Sequence, residues 1–205
     1  MKVQVWGAYV LVAVGVAAAY FLVPTSNLSH LVLYNGIGLS AVVTVLIGIR
    51  RNRPADRRPW LLIAAGQASF LTADICYYIL ESINEEAPFP SIADIFYLGM
   101  YPLVIMGLLR LVAQTSPGRD WSSLVDAAIV ATATFAVFGV LVMDRYLTDP
   151  SLDLAGRVIS VCYPVMDVAL IAVAARLIGL VRVIQRNERR PRYDARHDYI
   201  GSAHV

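Results

Sequence analysis

Four aspartates fall within or at the edges of long apolar runs: Asp74, Asp94, Asp126 and Asp167. The first two share a local pattern, "TADICYYIL" (72–80) and "IADIFYLGM" (92–100), each an Ala-Asp-Ile followed by tyrosine. A carboxylate in apolar surroundings can hold a proton or a cation or accept hydrogen bonds, and it is costly if left alone. Each is therefore a functional candidate. Two of the four also have a structural reading. Ser91-Ile-Ala-Asp94 and Ser123-Leu-Val-Asp126 match the capping box, in which serine and acid satisfy free N–H groups at a helix start. Pro90 strengthens the first of these, and Asp126 can in addition pair with Arg110 or Arg119. Asp74 and Asp167 have no such alternative. They are expected to face a bundle interior or a wet cavity, protonated or hydrogen-bonded.

The tyrosines supply donors for these acids. Residues three and four apart share a helix face. By that rule Asp74 goes with Tyr77 and Tyr78, Asp94 with Tyr97 and Tyr101, and Asp167 with Tyr163. A phenol can donate to a carboxylate and partly replace missing water. Pro102 and Pro164 each follow a tyrosine; inside a helix each removes a ladder bond, frees a carbonyl and favours a kink. Asp74, Tyr77, Tyr78, Asp94, Tyr97, Tyr101, Pro102, Tyr163, Pro164 and Asp167 are thus expected to line one polar, aromatic pocket for a small molecule. For Tyr77, Tyr78 and Tyr97 an interfacial aromatic belt is the competing reading. Tyr101 and Tyr163 lie deeper and suit a belt less well.

The elements that must position these residues are long helices. Of 205 residues 58% are hydrophobic and 16% charged, with mean hydropathy +0.63. Soluble domains sit nearer about 45–50% apolar and 25% charged. The excess lies in six nearly uncharged blocks, 3–23, 29–49, 60–80, 93–113, 122–143 and 158–180. About 20 helical residues cross a hydrocarbon core of roughly 30 Å. The expected fold is all-α: a polytopic bundle of six transmembrane helices over 1–181, followed by a basic cytoplasmic tail, 182–205. The apolar core of the first block is too long for a signal peptide and reads as a retained span. With both termini inside, 14 of the 17 Lys and Arg fall on the cytoplasmic side, including Arg50, Arg51, Arg53, Arg57 and Arg58. Lys and Arg are enriched in cytoplasmic loops. This orientation puts the pocket in the outer half of the membrane.

Several classes are excluded or left without support. The basic residues follow topology and form no further patch, so nucleic acid is not an expected partner; the lipid bilayer is. Of the three histidines, His30 lies at an outer loop edge and His197 and His204 lie in the tail, so no span carries a histidine pair. No metal, haem or other cofactor is therefore expected in the bundle. G-x-S-x-G, H-E-x-x-H and phosphate-binding loops are absent, and no motif supports an aspartyl pair of Asp74 and Asp167. The expectation is a protein without catalytic residues. Cys76 and Cys162, both in outer halves, read as two small buried thiols, though they could meet.

After the sixth block comes "RVIQRNERRPRYDARHDYIGSAHV", expected to stay helical to about Pro191. Together with "PSIADIFYLGMYPLVIMGLLRLV" and "YPVMDVALIAVAARLIGL", it resembles the membrane-embedded N-terminal region of bacterial diguanylate cyclase (GGDEF) proteins, many of which carry an EAL phosphodiesterase domain. Ala195, His197, Asp198 and Gly201 can be laid on the A-x-H-D-x-L-T-G opening of a GGDEF domain. Here the stretch is one residue shorter and lacks the threonine, and neither a GGDEF nor an EAL signature follows. The resemblance implies a sensory module of the bacterial cytoplasmic membrane. In it Arg182, Arg186, Arg189, Arg190 and Pro191 would transmit a signal towards an output domain, a separate partner or a homodimer. Asp74 and Asp167 also allow a second expectation, a small proton- or solute-coupled carrier.

Overall fold

The computed structural model describes residues 7, 10–18, 27–84, 88–115, 121–139, 143–150 and 152–189. Among them every regular element is helical. Residues 10–18 form α1, followed by α2 (Asn27–Asn52), α3 (Arg58–Asn84), α4 (Ile92–Thr115), α5 (Trp121–Phe138), α6 (Asp144–Thr148) and α7 (Leu154–Arg189). The expected all-α class holds. Three helical stretches, Arg58–Asn84, Ile92–Gln114 and Leu154–Arg182, are long and apolar enough to cross a membrane, and Leu124–Phe138 is a shorter apolar helix. Their outward faces agree: Ile95 is 68% exposed, Ile129 61% and Leu154 80%. In water such surface is a liability, whereas lipid tails meet it at no cost.

The helices overrun the apolar blocks because polar residues finish them. At the α2 end Arg53 adopts a left-handed conformation (φ 44°), donates its N–H to Ile49 O, and is followed by Pro54. This is a C-terminal stop more often built with glycine. In the next loop Asp56 accepts from Arg58 N–H at 2.9 Å and from Gln114 of α4 at 3.0 Å, tying two helix ends together. Helix α7 begins four residues before the expected boundary because Asp153 caps it, accepting from Gly156 N–H at 2.8 Å. Arg157 then secures the preceding loop through the carbonyls of Leu152 and Asp149. The fifth block, expected over 122–143, is described except for residues 140–142. Regular α-helix stops at Phe138, and Gly139 and Met143 have π-type geometry. Of the first block, 3–23, only residue 7 and residues 10–18 are described.

Pairing directions follow from side-chain neighbours. As α3 advances from 63 to 74, its partners on α4 fall from 107 to 97, so the two are antiparallel. On α7, by contrast, Tyr163 meets Asp94 and Asp167 meets Tyr101, so α4 and α7 run in the same direction. Close helix contacts join α2, α3, α4, α7 and α5 in one row, with the short α6 also against α7. The α3–α4 seam is made of small residues, as membrane interfaces often are. Ala64, Gly66, Ala73, Ala93 and Gly107 are all buried. A Cβ at Gly66 would stand 2.5 Å from Val104 Cγ2, and one at Gly107 would stand 2.9 Å from the Pro59 carbonyl. This tight seam sets how α4 presents its tyrosines.

Candidate functional site

The first turn of α4 shows the capping box at work. Asp94 Oδ2 accepts from Ser91 N–H at 2.7 Å, and Ser91 Oγ accepts from Ala93 N–H at 3.2 Å. The acid does more than cap. Its Oδ1 accepts from the Tyr163 hydroxyl of α7 at 2.6 Å, and the residue is 7% exposed. The cap reading of Asp94 therefore holds, and the same side chain also ties α4 to α7; it lies on the wall of neither cavity described below. Asp126 differs: α5 already starts at Trp121, so Asp126 stands exposed in its second turn, beyond the reach of a first-turn cap.

Two further phenol–carboxylate bonds extend the site. Tyr97 donates to Asp74 Oδ1 at 2.6 Å, and Tyr101 donates to Asp167 Oδ1 at 2.7 Å. All three bonds link different helices. Tyr97 joins α4 to α3, while Tyr101 and Tyr163 join α4 and α7 in opposite senses. This corrects the expected pairing within each helix: sharing a face sets neighbours along one helix, whereas the bundle offers each phenol a closer acid on the next. Asp74 takes its donor from Tyr97, not from Tyr77 or Tyr78. Tyr77 is 43% exposed, in keeping with the aromatic-belt reading, and Tyr78 is half-buried with its backbone carbonyl accepting from Ser82. The same belt reading fails for Tyr97, whose ring packs edge-on against Phe70 with centroids 5.3 Å apart.

The prolines flank this network inside unbroken helices. Pro102 is exposed on α4, and Pro164 is buried on α7. Two cavities reach the network. One of about 510 Å³ is lined by Tyr163, Pro164 and Asp167 together with Phe138, Tyr146 and Ser160. The other, of about 540 Å³, lies between α2, α3 and α4, with Ala17 of α1 also on its wall, and reaches Asp74. Gln67, Tyr34 and Phe70, all on its wall, were not expected from the sequence. Gln67 had left a signal: it is an amide inside an apolar block, seven residues before Asp74 and so on the same helix face. Ser69, which donates to the Phe96 carbonyl at 2.8 Å, likewise ties α3 to α4. Both cysteines are free and partly buried, as two separate thiols. No group of three or more potential metal ligands occurs among the described residues.

Towards the C-terminal end of α7 Arg182 is exposed, and the helix continues through Arg186 to Arg189. Arg190 and Pro191 lie outside the described residues, as do Ala195, His197, Asp198 and Gly201. Comparison with protein-family models, curated proteins and solved structures matches the chain to none of them.

Proposed function

We propose that this chain is a non-enzymatic membrane input module of a cyclic-di-GMP-type signalling protein, with the Tyr–Asp network as its sensing site. One observation carries the reading. Helix α7 is a single helix of 36 residues, about 54 Å at 1.5 Å per residue, with Tyr163 and Asp167 in its first half and Arg182 to Arg189 at its C-terminal end. A hydrocarbon core is only about 30 Å thick, so such a rod reaches well beyond it. A molecule that competes for the Tyr101–Asp167 or Tyr163–Asp94 bond changes how α7 sits on α4, and the rod carries that change to the basic tail. This needs two packings of similar energy that the stimulus favours unequally. In this reading the chain has six spans with both termini on the cytoplasmic side of a bacterial inner membrane. The signal passes to a partner or a second copy. The arginine distribution and the resemblance to cyclase membrane regions support it.

The test places spin labels at Ala113→Cys on α4 and Arg182→Cys on α7, with Cys76 and Cys162 replaced by serine. Removing both α4–α7 bonds with Tyr101→Phe and Tyr163→Phe should shift the label distance by about 2 Å, the scale of helix displacements at switching interfaces. An unchanged distance in the folded double variant overturns the reading. The carrier reading keeps one observation in its favour: the two cavities reach the network from opposite ends, at Asp74 and at Asp167. Proton or solute flux in proteoliposomes that is lost in Asp167→Asn would favour it.

A further inference from the structure

Helix α2 packs on α3 but does not close on α4, and the space left is the cavity of about 540 Å³. Its wall is mostly aliphatic and aromatic, with Ile37, Phe70, Leu71, Met100 and Val104, and no Lys or Arg lines it among the described residues. Two oxygens break this apolar character. Among the described residues, Asp74 Oδ2 and Gln67 Oε1 are buried and receive no hydrogen bond, although Asp74 Oδ1 is already held by Tyr97. Both side chains line the cavity and stand seven residues apart on one face of α3, a rise of about 10.5 Å. Buried acceptors without donors are costly, and a carboxylate without a countercharge more so. What is missing is therefore specific: two donors about 10 Å apart, one of them cationic, on a body that suits an apolar wall.

We propose that this cavity binds an elongated, largely apolar organic cation. Its ammonium-type head sits on Asp74 Oδ2, and its body runs along α3 to bring a second donor to Gln67 Oε1. Phe70 and Tyr34, on the same wall near Asp74, offer aromatic faces to the cation. The volume falls within the range of drug-sized ligand sites. The role of this cation as a stimulus rests on the input-module reading; its binding does not. Binding without movement of α7 would keep the site and remove only the cation's role as a stimulus.

The test uses the full chain in nanodiscs of zwitterionic lipid, with empty discs as control. The probes are n-octylamine, 8-amino-1-octanol, n-octanol and octanoate, read by calorimetry and by the unfolding midpoint. The amines should bind and stabilise the protein, with octanol weaker and octanoate silent. The amino alcohol should bind severalfold tighter than octylamine. Asp74→Asn keeps an acceptor for Tyr97 and should weaken amine binding about tenfold or more, the range for a hydrogen bond to a charged group. Gln67→Leu should remove only the advantage of the amino alcohol. Ala41→Phe, which fills the cavity and leaves the carboxylate untouched, should abolish binding of all four probes. Equal binding of amine, alcohol and acid would make the space a slot for an acyl chain and overturn the proposal. Indifference of the amines to Asp74→Asn, or no binding to the folded protein, would overturn it as well.

Discussion

Among the described residues, each phenol in the network is the only donor its carboxylate oxygen has from another helix, and that sets what its loss costs. Tyr97→Phe strips Asp74 of its bond and leaves both oxygens bare in an apolar wall. The expected destabilisation is about 1–3 kcal/mol, the cost of a buried group left unsatisfied, measured by denaturant unfolding in detergent. Tyr77→Phe removes a hydroxyl from a largely exposed side chain and should fall within about 0.5 kcal/mol. If the two substitutions cost the same, the assigned donor is wrong. The sequence made the acids and phenols visible, because polar groups stand out in apolar blocks. It could not assign partners, because helical spacing describes neighbours within one helix only. Asp94 was the exception: its cap is local and could be read in Ser91-Ile-Ala-Asp94, while its bond to Tyr163, 69 residues away, could not.

Helix existence and approximate length were legible in the same way, since block length and charge mark where a chain leaves hydrocarbon. The ends moved where side chains supplied caps, as at Asp153, or where the regular ladder gave way, as at Gly139. The α3–α4 seam was harder to see, since Gly66 and Gly107 gain meaning only from what lies opposite. Gly107→Ala places a methyl against a backbone carbonyl that cannot rotate away. It should cost about 1–3 kcal/mol through forced separation of the helices. Gly36→Ala meets nothing within 4 Å and should be neutral or slightly stabilising, since alanine is the better helix former. Comparing the unfolding midpoints of the two variants checks this; a neutral Gly107→Ala would mean that the seam is looser than described.

At the scale of the whole molecule, a row of helices α2–α3–α4–α7–α5 places the Tyr–Asp bonds on the central members, with the two cavities on either side of them. The proposed topology sets the loop around Ala55 and the loop around Pro150 on opposite sides of the membrane. In a background without native cysteines, Pro150→Cys should react with an impermeant maleimide in intact cells, and Ala55→Cys only after lysis. The same sidedness for both would remove the six-span arrangement. The crosswise bonds between α4 and α7 also bear on how the chain assembles. Along its direction α4 presents acid then phenol, Asp94 then Tyr101, while α7 presents phenol then acid, Tyr163 then Asp167. Sliding α7 by one turn would bring Asp167 opposite Asp94, acid against acid, and leave the phenols without acceptors. Two parallel apolar helices have little else to fix their alignment in lipid. Here four side chains act as a short code that is satisfied in one alignment and penalised in the next, so newly inserted helices can find their register by trial.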